Sequence, residues 1–289
     1  MHPASSVIIF STLSGAGFGL LALIGTGFVP VTGWTAFWYF TLAYLLAVGG
    51  LVASTFHLGH PERALKAFSQ WRTSWLSREG ISAVVTLLVM ALYGAGLVFF
   101  DQALVPLGYL GAAGALFTVL TTAMIYTQMK TVPRWRHWST PVLFLTLALT
   151  GGAVFGGLRL TAMVLLPCAL IVQGLWWLWA KDRFALSTTT IATATGLGAG
   201  TRQFAPPHTG GNYLLTEMVH QIGRKHAQRL RVLAVILGFV LPFAILVLSD
   251  ATWAAIPAGI VHLAGIFASR WLFFAEAEHV VGLYYGRAQ

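Results

Sequence analysis

Two short stretches concentrate groups able to exchange protons. Phe56-His57-Leu58-Gly59-His60-Pro61-Glu62-Arg63-Ala64 follows one apolar run, and Ser74-Trp75-Leu76-Ser77-Arg78-Glu79-Gly80 precedes the next. His57 stands where the apolar residues end. An imidazole titrates near neutral pH, and it both donates and accepts hydrogen bonds. At the mouth of an apolar helix bundle it offers what a quinone needs, a partner for a carbonyl oxygen and a route for protons. An imidazole there equally serves to cap a helix end, and the residues alone leave both readings open. Glu79 is open in the same way. It can favour the positive N-terminal dipole of the next helix, pair with Arg63 or Arg78, or relay a proton.

A second cluster lies near the C-terminal end: Arg270, Glu276, Glu278 and His279. A charge as close to hydrocarbon as Arg270 is costly and marks a functional hypothesis, although a long side chain can also snorkel to the interface. Glu276 and His279 are three apart, a spacing that lets them share a helix face. Tyr126 can line a quinone slot or simply pack between helices. Trp135 and Trp138, between Pro133 and Pro141, are expected at headgroup level, where indoles are favoured. His262 lies deep in an apolar run. No other histidine lies at matching depth to give haem a second axial ligand, which argues against haem and for a hydrogen-bonded core histidine. Gly15-Ala16-Gly17-Phe18-Gly19 lacks the preceding strand of a dinucleotide site and reads as helix packing. The single cysteine, Cys168, cannot hold an iron–sulfur cluster alone and reads as a small packing residue.

What positions these groups follows from composition. Of 289 residues, 57% are hydrophobic and 9% charged, against about 25% charged in soluble domains. Lipid must therefore be the solvent. A bilayer core needs about 20 predominantly apolar residues per helix, and helices satisfy the backbone internally. Apolar stretches near 7–29, 35–56, 81–100, 104–127, 141–158, 160–180, 231–250 and 253–275 predict an all-α, polytopic bundle of eight transmembrane helices. Residues 1–289 read as a single membrane domain, with the first apolar run a retained helix because no Lys or Arg precedes it.

Eight spans put both termini on one side, with the loops 57–80, 128–140 and 181–230. Sixteen of the 17 Lys and Arg residues fall there, and only Arg159 falls opposite. Short basic loops remain in the cytoplasm, so the expected location is the inner (cytoplasmic) membrane, multi-pass, with N- and C-termini cytoplasmic. The net charge of +9 is then a topology signal, and nucleic acid is not needed to explain it. In the long cytoplasmic loop 181–230, Leu214, Leu215, Met218, Val219 and Ile222 recur at helical spacing before a basic run. They predict an amphipathic helix near 212–229, lying on the membrane or docking a soluble partner.

His57-Leu58-Gly59-His60-Pro61-x-Arg63-Ala64, Ser74-Trp75-Leu76-Ser77-Arg78-Glu79, Thr131-Val132-Pro133-x-Trp135 and Thr140-Pro141 resemble the membrane anchor subunit of dimethyl sulfoxide reductase, as do the Arg270 and His279-Val280-Val281-Gly282 regions. The resemblance covers nearly the whole chain. It implies eight spans, no metal in this chain and a quinone site. It also implies two partners, a molybdopterin catalytic subunit and an iron–sulfur electron-transfer subunit. It places quinol binding on His57 and the accompanying acid on Glu79. Arg63, Arg78, Tyr126, Arg270 and His279 are expected around a ubiquinone or menaquinone. The long 181–230 loop and the C-terminal stretch look more like the sulfite-oxidising branch of that family, and the basic side in the cytoplasm agrees. The expected role is a quinone-binding anchor that passes electrons from sulfite oxidation to the quinone pool. The alternatives are a quinol-oxidising anchor of a dimethyl sulfoxide or related reductase and a purely structural anchor.

Overall fold

A computed structural model describes residues 2–56, 60–205, 207–208, 210–218 and 226–285. Every regular element among them is helical. Eight long helices organise the chain: α1 (Ser5–Gly25), α2 (Gly33–Thr55), α3 (Trp75–Phe99), α4 (Val105–Thr127), α5 (Ser139–Phe155), α6 (Arg159–Lys181), α7 (Ala227–Leu248) and α8 (Ala255–Ala275). Seven are long and apolar enough to cross a membrane; α5 is apolar but has 17 residues.

α1 sits at the centre, buried over most of its length, and packs on α2, α4 and α5. In hydrocarbon, helices associate through close packing of small residues. Gly19 and Gly152 are where α1 meets α5: a Cβ on Gly19 would fall 1.8 Å from the Ala148 carbonyl oxygen. α8 is the second buried helix and closes on α7 at Gly265 and Gly238. Pro242 has no N–H to give the Gly238 carbonyl four residues back, and α7 widens there into a π turn, Ile236–Val240. His262 of α8 donates its Nδ1 hydrogen to that carbonyl at 2.6 Å, which makes it the core histidine that its depth predicts.

Contacts between helix ends fix two poles. At one, Arg159 at the start of α6 donates from Nε to the Leu246 carbonyl of α7 at 2.7 Å, a cation at a helix C-terminus. At the other, Arg134 before α5, Arg231 in α7 and Glu276 after α8 form an ion cluster, with Arg134 also reaching the Ala180 carbonyl near the end of α6. The second pole is the basic one.

Several boundaries differ from the hydropathy reading. α3 begins at Trp75, six residues before its apolar run. Ser74 caps it, accepting from the Ser77 N–H, and the Ser77 hydroxyl donates to the Ala67 carbonyl. Hydropathy marks the lipid, whereas the cap marks the helix. Glu79 therefore lies within α3 and is buried, not ahead of it. α8 ends at Ala275, where its apolar run ends, but the helix face expected for Glu276 and His279 does not form beyond it. Trp135, between the ends of α4 and α5, is buried against protein and donates from Nε1 to the Phe273 carbonyl at 2.9 Å, while Trp138 is exposed. Cys168 is exposed on α6, so it is not interior packing. In the long loop a short helix covers Tyr213–Glu217; residues 219–225 of the expected amphipathic helix lie outside the described residues.

Candidate functional site

The buried chemistry gathers near the basic pole, where α3, α4, α5 and α8 meet. Glu79 projects from the second turn of α3 and is 5% exposed. Thr122 of α4 reaches it: the Thr122 hydroxyl touches the Glu79 carboxyl and also lies 3.0 Å from the Thr118 carbonyl. One hydroxyl has one proton for these two acceptors. Either it serves Glu79, or it serves Thr118 and accepts from a neutral Glu79 carboxyl. Ser82 and Thr121, and Thr86 and Thr118, bring further hydroxyls together between α3 and α4.

Tyr126 follows Thr122 by one helical turn and is buried among Trp135, Phe144, Phe273 and Phe274. It lies within electrostatic reach of both Glu79 and Arg270. Arg270, on α8, is 3% exposed. Its guanidinium carbon sits 3.5 Å from the Phe144 ring centroid, a cation–π contact inside the bundle. Its Nε and Nη1 are buried without a hydrogen-bond partner. Arg270 therefore does not snorkel to the surface; it holds donors and a positive charge in the interior.

A cavity of about 10 Å³ adjoins Arg270, lined also by Ser11, Thr12 and His262. The Thr12 hydroxyl is another buried polar group without a partner. The space is of the order that holds a single water with several polar neighbours. Polar groups thus run from His262, past Arg270 and Tyr126, to Glu79.

Of the remaining expected residues, Arg63, Arg78 and His279 make their contacts elsewhere. His57 lies outside the described residues. Arg63 is exposed in the 3-10 helix Pro61–Gln70, 3.9 Å from Glu62. Arg78 donates to the Trp71 and Arg72 carbonyls at 2.9 and 2.7 Å and lies over Trp75, tying this loop to α3. His279 accepts from the Val281 N–H at 3.0 Å, and burial pushes its imidazole down from the ordinary value. Thr122 was the partner not anticipated. Its signal was present, since Thr122 and Tyr126 are four apart and share a helix face.

Comparison with known proteins identifies the family. The family model described as "DMSO reductase anchor subunit (DmsC)" matches residues 6–275. A sulfite dehydrogenase subunit of Allochromatium vinosum is 34% identical over 321 aligned positions, covering 99% of each chain. No solved structure matches. The motifs, the helical membrane bundle and this near full-length match agree: the chain belongs to the dimethyl sulfoxide reductase anchor subunit family.

Proposed function

We propose that this chain is the quinone-reactive anchor of a sulfite-oxidising complex, with eight crossings and both termini in the cytoplasm. The partners are a molybdopterin subunit and an iron–sulfur subunit. The observation that carries this reading is the buried Glu79, Tyr126 and Arg270 group at the basic pole, with guanidinium donors left unpaired. A structural anchor gains nothing from an interior charge without an anion. A quinone taking up electrons develops negative charge on its oxygens, and a fixed cation stabilises that charge. Glu79 exchanges protons with the hydroxyls around Thr122. His57, just beyond α2, links them to the cytoplasm.

The balance closes. Sulfite and water give sulfate, two electrons and two protons at the partner; the two electrons and two cytoplasmic protons convert the quinone to its quinol. Between α2 and α3 an apolar groove of about 730 Å³, lined by Phe40, Leu45, Val48 and Val52 of α2 and by Ala91, Gly94 and Val98 in the second half of α3, suits an isoprenoid tail. The helix ends support the reading of eight crossings: α5 starts near the Arg134 pole and ends four residues before Arg159, which belongs to the opposite pole.

The test uses membranes containing the complete complex. His57→Ala and Glu79→Gln should each lower sulfite-driven reduction of a quinone analogue by about 100-fold, the scale of a lost acid–base group. Sulfite oxidation with a soluble acceptor should stay intact. Equal loss of both activities would overturn the quinone role. The family also favours a second reading, quinol oxidation. Quinol oxidation by dimethyl sulfoxide, with no sulfite-driven reduction, would establish it instead.

A further inference from the structure

A second site lies between α6 and α7, away from the buried acid. A cavity of about 500 Å³ opens there at the basic pole, within the usual range for ligand pockets. Among the described residues its polar lining is Trp177, Lys181, Gln228 and Arg231, with no carboxylate. The Trp177 Nε1 and the Arg231 Nε are buried without a hydrogen-bond partner. Arg231 gives its Nη2 to Glu276 at 2.6 Å. That carboxylate also pairs with Arg134, and Lys181 adds a further positive charge to the pocket.

The other wall is apolar. Leu178 and Ile236 line it and face outward. Ile236 lies eight residues beyond Gln228, about 12 Å further along the helix. An occupant must therefore carry an anionic, acceptor-rich head and a long apolar tail. A soluble partner reaches the head end alone; free phosphate fills no apolar wall. We propose that this pocket binds an anionic phospholipid, its phosphodiester among Lys181, Gln228, Arg231 and Trp177 and its acyl chains along Leu178 and Ile236. Basic pockets between helices at a cytoplasmic face recognise such headgroups. This site is independent of the quinone reading.

The test is lipid retention by the complete complex in detergent, read by native mass spectrometry with phosphatidylglycerol, phosphatidylcholine or inorganic phosphate added. Phosphatidylglycerol should bind in preference to phosphatidylcholine and resist inorganic phosphate. Lys181→Gln should weaken it about fivefold, the scale of one Lys at an anionic surface. Gly174→Leu should block it sterically, because a Cβ at Gly174 meets nothing within 4 Å and the added side chain has room to fill the pocket. Lys130→Gln, a charge removed elsewhere at the same pole, should leave retention unchanged. Equal retention of phosphatidylcholine, equal loss with Lys130→Gln, or displacement by a quinone analogue would overturn the proposal. So would loss of partner subunits from the pocket variants with lipid retention unchanged.

Discussion

Arg270 lies with its guanidinium carbon 3.5 Å from the Phe144 ring centroid and two of its nitrogens unpartnered, inside the helix bundle. An apolar residue of similar length loses the charge but also removes the desolvation cost. Arg270→Met should therefore leave assembly and thermal stability equal to or above wild type. Quinone reduction should fall about 100-fold, the scale of one lost charge-stabilising donor. Parallel melting curves and quinone assays check this; a variant that melts early with activity per folded complex unchanged would make Arg270 a packing residue.

Close approach between α1 and α5 gives a packing test. A Cβ at Gly19 would collide with the Ala148 backbone, whereas one at Gly15 meets nothing within 4 Å. Backbone cannot swing aside as a side chain can. Gly19→Ala should stop the chain accumulating in membranes, while Gly15→Ala should accumulate normally, as read by immunoblot of the membrane fraction.

Glu276 joins three elements through Arg134 and Arg231 and is 7% exposed. Its neutral isostere leaves two guanidiniums without their shared anion. Glu276→Gln should destabilise the bundle by about 3 kcal/mol, the lower end for a broken buried pair. The detergent-denaturation midpoint measures it.

Acid should loosen the loop between α4 and α5. Burial, with Arg183 nearby, holds the His137 imidazole below its ordinary value, and its Nδ1 accepts the Ser139 N–H at 3.3 Å. Because the folded value lies below the unfolded one, the unfolded chain binds the proton more readily. Stability is then full above the unfolded value of about 6.5 and declines as pH falls below it. His137→Asn keeps an acceptor and does not titrate, so thermal melts from pH 8 to 5.5 should show a shallower decline for this variant.

The bundle was legible because hydropathy reports lipid contact directly. Its limits show at α3, where a serine cap starts the helix at Trp75, six residues ahead of the apolar run expected from 81. Within the site, Arg270 and Tyr126 stood out as polar groups in apolar runs. Their meeting with Glu79 did not, because it depends on which faces of α3, α4 and α8 turn inward. The partner of Trp135 was hidden for a related reason: its hydrogen bond to the Phe273 carbonyl depends on how the loop before α5 meets α8.

The Glu276 cluster also has an order in time. Ribosomes make Arg134 first, Arg231 later, and Glu276 142 residues after Arg134. Until the last helix is made, both earlier side chains lack the carboxylate they will share. A truncated chain therefore differs from a finished one by an electrical signature at its basic pole, not merely by a missing helix. Completion of synthesis is thus written into the charge balance of that pole.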